Sequence, residues 1–187
     1  MRSSCSRWMY GITLLAVAVA GWAQEGDGFT LESPDLKPGQ PVPMAQILDS
    51  FGCAGENRSP ALTWSHPPVG TRSFVLTLHD PDAPTGSGWW HWIVLDIPAG
   101  TTGLPAAIGK GGALPGGARE GRTDIGRPGY MGFCPPAGDR PHRYVFTLHA
   151  LKVEKLPAAD DATPALVGFN LNAYRIGQAS LTITHGR

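Results

Sequence analysis

The stretch HDPDAPTGSGWWHW at positions 79–92 decides how this chain is read. It joins two apolar, strand-like runs at 73–78 and 93–97, and a connection of this kind ordinarily needs only turn formers such as Gly, Asn, Asp and Pro. Here it also carries Asp80, Asp82, His91 and three tryptophans. Side chains alternate along a strand, which places Asp80 on the face of Phe74, Leu76 and Leu78, and His91 on the face of Ile93, Leu95 and Ile97. Antiparallel pairing of the two runs brings both ionisable groups to one edge of the core.

Working outward, HRYVFTLHAL at 142–151 repeats the arrangement, with His142 and Tyr144 on the face of Phe146 and Leu148. Three strands that each end an apolar stripe in polar chemistry predict a rim with a carboxylate, two imidazoles and a phenol. That is the make-up of a small ligand pocket. The bland alternative is that these groups only satisfy one another at the end of a core.

The chain has 187 residues, 42% of them hydrophobic, and a formal net charge of zero, which suits a single globular domain. Neutral charge without basic blocks speaks against nucleic acid or an anionic membrane as partner. The 25 glycines and 18 prolines are spread between strand-like runs, the pattern of a β-rich domain with many turns. Residues 1–23 combine Arg2 and Arg7, an apolar core at 12–20 and small residues before Gln24, and read as a secretory signal peptide cut after Ala23. A domain at 24–187 would remain, with no transmembrane segment after signal removal, exported to the periplasm or secreted. Having lost two arginines and no acids, it would carry a net charge of −2. Its two cysteines, Cys53 and Cys134, are a candidate disulfide in an exported chain, or two buried thiols.

Residues 24–44, broken by prolines, read as an edge strand or extended arm. The loop FGCAGENRSPALTW at 51–64 leads into a short strand at 62–64, and its Glu56, Asn57 and Arg58 read as solvated. The glycine-rich stretch 100–129 lacks either hydrophobic period and reads as a covering loop. A helix is predicted over 161–178, with Thr163 as N-cap, Pro164 in the first turn, and Leu166, Phe169 or Asn170, Ala173 and Ile176 as packing face. A last strand is predicted at 179–184.

No G-x-S-x-G elbow is present, and no serine near the site has an evident base, so an enzyme is not expected. Asp80, His91 and His142 match the count of a facial metal triad but not a metal-site spacing, and neither metal nor cofactor is expected. Imidazole N–H groups and a tyrosine hydroxyl can donate to an anion, with Asp80 orienting a histidine. Anion affinity is then expected to rise as pH falls through roughly 6 to 7, as the imidazoles protonate.

DPDAPTGSGWWHW together with GYMGFCPPAGDRPHRYVFTLHAL resembles the two signature blocks of the phosphatidylethanolamine-binding proteins, in their bacterial, Raf-kinase-inhibitor-like branch. The resemblance implies a mostly β fold of two antiparallel sheets, the larger a Greek key, with few helices and one of them C-terminal and near the pocket. It also implies a non-catalytic pocket for phosphate-like anions, phosphorylated groups or phospholipid headgroups, formed by Asp80, Asp82, His91, Pro135, Pro136, His142 and Tyr144. The sequence departs from the family pattern at Met131 and Phe133, where a glycine and a proline are usual, and at Tyr174 and Ile183, in place of a histidine and a glycine. The alternative reading is a protein-interaction or inhibitor module that meets a protein partner through its surface loops. The sequence leaves the natural ligand and the oligomeric state open.

Overall fold

The computed structural model describes residues 28–187, so the predicted signal peptide lies outside the described residues. The chain runs β1 (Thr30–Glu32), β2 (Leu62–Ser65), β3 (Ser73–Asp80), β4 (Trp89–Pro98), β5 (Gly103–Leu104), β6 (Arg119–Glu120), β7 (His142–Leu151), α1 (Pro164–Tyr174) and β8 (Arg175–His185). A 3-10 turn at Met44–Gln46 precedes β2.

Among the described residues all strand pairs are antiparallel and fall into two sheets, a small one ordered β1-β2-β5 and a large one ordered β6-β4-β3-β7-β8. In the large sheet β3, β4 and β6 follow one another and β7 returns to the free side of β3, which is Greek-key order. The expected fold class is therefore observed, with one α-helix near the C-terminus.

The alternating apolar residues of β3 serve two cores. Phe74, Leu76 and Leu78 meet Leu31, Leu62, Trp64 and Leu104 of the small sheet, together with Phe146 and Leu148 of β7. Val75 lies on the other face with Ile93, Leu95, Leu151, Val167 and Leu171. Covering both faces explains why β3 and β4 read as nearly unbroken apolar runs. Each fully buried Leu, Ile or Phe contributes about 1.5–3 kcal/mol.

Four expectations need correction. In β4 the strict alternation fails, because the β3–β4 register shifts between Leu78 and His79 and again between Phe74 and Leu76. Trp92, Val94 and Ile97 share the first core, while Ile93 and Leu95 belong to the second. A bulge lets two successive residues oppose one, so parity is lost at each bulge; Asp96, at φ 58°, marks the second.

The helix stops at Tyr174 because the next residues pair with β7, as Leu151 with Arg175 and His149 with Gln178, so β8 begins four residues before the predicted strand. Thr163 caps the helix as expected, its hydroxyl accepting the Leu166 N–H at 3.3 Å. The packing face, however, is Pro164, Val167 and Leu171, while Leu166 and Phe169 are 47% and 71% exposed. PALVGFNLNAY has no charge to fix the phase of its apolar period. The fourth correction is stretch 100–129, which does not act as a loose cover. It supplies β5 and β6, one to each sheet, and turns Leu104, Ala107 and Ile108 inward.

Candidate functional site

Asp80 closes β3 and shapes the loop that follows. Its Oδ1 accepts the backbone N–H groups of Asp82 and Ala83 at 2.9 and 3.0 Å, the side-chain-to-backbone turn that short acidic residues favour. The loop re-enters β4 through Gly88 at φ +74°, where a Cβ would lie 2.5 Å from the Asp80 carbonyl. Only glycine fits there. The other oxygen, Oδ2, accepts Nδ1–H of His142 at 2.8 Å, and both side chains are almost fully buried, at 3% and 2% exposure. A carboxylate only accepts, so Nδ1 carries the proton and Nε2 is left for any other partner. That atom lies 3.4 Å from Oδ2 of Asp139, on the turn before β7.

His91 sits at the first bulge and joins the same hollow. Its Nδ1 lies 3.1 Å from the Met131 carbonyl, which makes Nδ1 the donor and Nε2 a lone-pair acceptor. Burial, against opposing help from the Met131 carbonyl and the Asp80 charge, pushes its pKa down to about 4. His91 thus stays neutral where protonation was expected to strengthen anion binding. It offers a place for a ligand O–H or N–H rather than for an anionic oxygen.

Asp80, His91, Pro135, Pro136 and His142 line one cavity of about 230 Å³. Two predicted residues do not. Tyr144 is fully buried beneath His91, with ring centroids 5.2 Å apart, and its hydroxyl accepts the Cys134 N–H at 3.3 Å. Burial holds its phenol well above the ordinary range. Asp82 faces away into a clamp, taking Arg143 through the guanidinium at 2.8 and 3.0 Å and the backbone N–H at 2.9 Å, and Arg140 at 2.9 Å. The hydrogen bonds from Arg143 hold its carboxyl well below the usual carboxylate range.

Met131, singled out in the sequence as a departure from the family pattern, is in the wall, and sequence reasoning missed the rest of it, which is Phe51, Ala83, Pro84, Thr85, Trp89 and Cys134. Most of these are apolar, and among the described residues no lysine or arginine lines the cavity. Trp89 differs from its neighbours in having a buried indole N–H with no hydrogen-bond partner among the described residues. The WWHW run was the available signal, since three tryptophans around one histidine exceed what a turn requires.

A disulfide between Cys53 and Cys134, 81 residues apart, fastens the Phe51 loop to the Pro135–Pro136 wall and decides between the two readings of these cysteines. Phe51, 65% exposed at φ 54°, stands in a conformation that is costly for a non-glycine residue. Arg187 steadies the same rim, donating to the carbonyls of Pro135, Gly52 and Phe51 at 2.6, 2.9 and 3.4 Å.

Of the four departures from the family pattern, Met131 forms part of the wall and Phe133 packs beneath it, 4.4 Å from the Tyr144 ring. Tyr174 packs on the second core and Ile183 in the first. No α1 residue lines the pocket, so the helix implied to lie near it instead covers the opposite face of the large sheet. Among the described residues no group of three or more His, Cys, Asp or Glu is placed to hold a metal ion.

Comparison with known proteins gives a consistent answer. A family model described as phosphatidylethanolamine-binding protein matches residues 32–186. The UPF0098 protein YbcL of Escherichia coli (strain K12) is 46% identical over 173 residues, spanning 91% of this chain and 94% of its own length. YbhB of the same strain is 47% identical over 153 residues, spanning 81% and 96%. The crystal structure of E. coli YbcL, described as a new member of the mammalian PEBP family, matches with a TM-score of 0.82 at 48% identity, covering 86% of this chain and 99% of that one.

Proposed function

The chain belongs to the phosphatidylethanolamine-binding protein family, and from that premise we propose that it is an exported, non-catalytic binding protein whose pocket takes a small anion. The anion is either free or the charged end of a larger ligand, such as a phospholipid headgroup or a phosphorylated group. The observation that carries this reading is the Trp89 indole N–H, a buried donor without an acceptor among the described residues, on a side chain that lines the same cavity as His142. Leaving such a group unsatisfied costs about 1–3 kcal/mol, which a ligand oxygen would recover. His142 adds a second point of attachment at Nε2. Because Nδ1 is already committed to Asp80 at 2.8 Å, Nε2 is the ring nitrogen left for a ligand. His91, held neutral near pH 7, adds no positive charge to the anion.

A binding role rather than catalysis fits the neighbouring groups. The Thr85 hydroxyl donates to the Gly88 carbonyl, and the Cys134 sulfur is spent in the disulfide, so neither is poised against an imidazole base. Export is supported by the leader-like residues 1–23 and by the disulfide, which persists in oxidising compartments. The surface-loop alternative relies on a stretch that spends Leu104, Ala107 and Ile108 on the core.

Titration calorimetry with dimethyl phosphate tests the proposal. Saturable binding is expected, weakened about tenfold or more in His142→Ala with the circular dichroism unchanged. Equal affinity in that variant would overturn the assignment of the pocket.

A further inference from the structure

His142 is flanked by two carboxylates, and the proposed function uses only one of them. Asp80 lies against Nδ1 at 2.8 Å, buried and satisfied by two backbone amides. Asp139 lies 3.4 Å from Nε2, on the atom a ligand would need, and its side chain is 43% exposed. Its backbone N–H donates to the Pro136 carbonyl at 3.3 Å. Asp139 thus stands on the Nε2 side of the imidazole, next to the cavity rather than in its wall.

The nearby cations are otherwise engaged. Arg140 and Arg143 are bound to Asp82, and Arg187 gives its donors to three rim carbonyls. Resting on the reading of this pocket as an anion site, we infer that Asp139 makes it select singly charged anions, phosphodiesters or carboxylates, over dianions such as phosphomonoesters.

The argument is one of charge balance. A monoanion sets one negative charge beside Asp139, and a dianion sets two. The second charge of a dianion lies a few ångströms from a carboxylate that only partly shares solvent. At an effective dielectric between protein surface and water, that repulsion corresponds to roughly a three- to tenfold loss of affinity. His91 cannot relieve it, because its ring is neutral and its free nitrogen is an acceptor. The apolar remainder of the wall, with Phe51, Pro84 and Met131, favours an esterified over a bare phosphate for the same reason.

The test compares dimethyl phosphate, a monoanion, with methyl phosphate, mostly a dianion at pH about 7.5. Both are titrated calorimetrically into the wild-type chain and into Asp139→Asn, which keeps the size of the side chain and removes its charge. The variant should tighten methyl phosphate roughly three- to tenfold more than it tightens dimethyl phosphate. If the ratio of the two affinities is the same in both proteins, Asp139 is not the selecting residue, while the pocket remains an anion site. If neither ligand binds either protein, the pocket reading itself fails and this inference with it. Asp139→Ser serves as a second charge-free variant on the exposed turn, and agreement between the two excludes an effect peculiar to the amide.

Discussion

Strand β7 carries two buried histidines, and their surroundings could hardly differ more. His142 and His149 are seven residues apart, an odd number, so they face opposite sides of the large sheet. His142 meets two carboxylates and a cavity. His149 meets the Thr77 hydroxyl at 3.1 Å and the Arg175 guanidinium at 3.4 Å, and has no place in the pocket wall. Burial, with the Arg175 charge adding to it, pushes the His149 pKa down to about 3. Burial alone therefore does not mark a functional histidine; the partners and the open space beside the ring do.

The contrast extends to what braces each end of the strand, and that offers the strongest way to break it. The disulfide secures the wall beside His142, whereas the His149 end relies on hydrogen bonds. Replacing both Cys53 and Cys134 by alanine should cost about 4 kcal/mol of stability in chemical denaturation. Hydrogen exchange should quicken at 50–53 and 131–136 and stay unchanged at 149–151 and 175–178. Equal loosening at both ends would erase the distinction.

The next effect concerns protons. An unfolded chain charges its imidazoles as pH falls below 6.5, while folded His149 and His91 resist until about 3 and about 4. Their folded pKa values are depressed, so their stabilisation is complete above pH 6.5 and is lost as pH falls toward those values. Urea titrations at pH 6.5 and about 4.5 should show His149→Gln recovering on the order of 2–3 kcal/mol of the acid loss. An unchanged pH profile would mean that His149 is not held neutral by its site.

Smaller effects sharpen the same contrast. His149→Gln should leave dimethyl phosphate affinity within about twofold, where His142→Ala loses about tenfold. Asp82→Asn should lower the melting temperature by a few degrees, through the lost Arg143 and Arg140 contacts, without weakening the ligand. A loss of affinity there would return Asp82 to the site.

Much of this was legible in the sequence where alternation holds. Asp80 and His142 lie at the ends of unbroken apolar stripes, and both reach the pocket as predicted. His91 also reached it, though for a different reason: a bulge, which leaves no trace in an apolar run, turned the ring to that side while sending Ile93 and Leu95 to the other core. Asp82 was misplaced because a carboxylate in the signature loop looked like a ligand group. The two arginines of DRPHR, which clamp it, were equally visible. Tyr144 shares the parity of His142 but sits one step deeper, under the floor. The role of Trp89 and the position of Asp139 depend on which polar atoms find partners, and that is a property of the folded chain alone.

The central claim is that Trp89 and His142 share one anion. Nitrogen-15 NMR of the indole groups during titration with dimethyl phosphate tests it, with Trp89→Phe assigning the resonance. The account predicts that the Trp89 Nε1–H signal moves downfield and saturates with the calorimetric affinity, and that the movement is lost in His142→Ala. A Trp89 signal that stays in place while the ligand binds would contradict it.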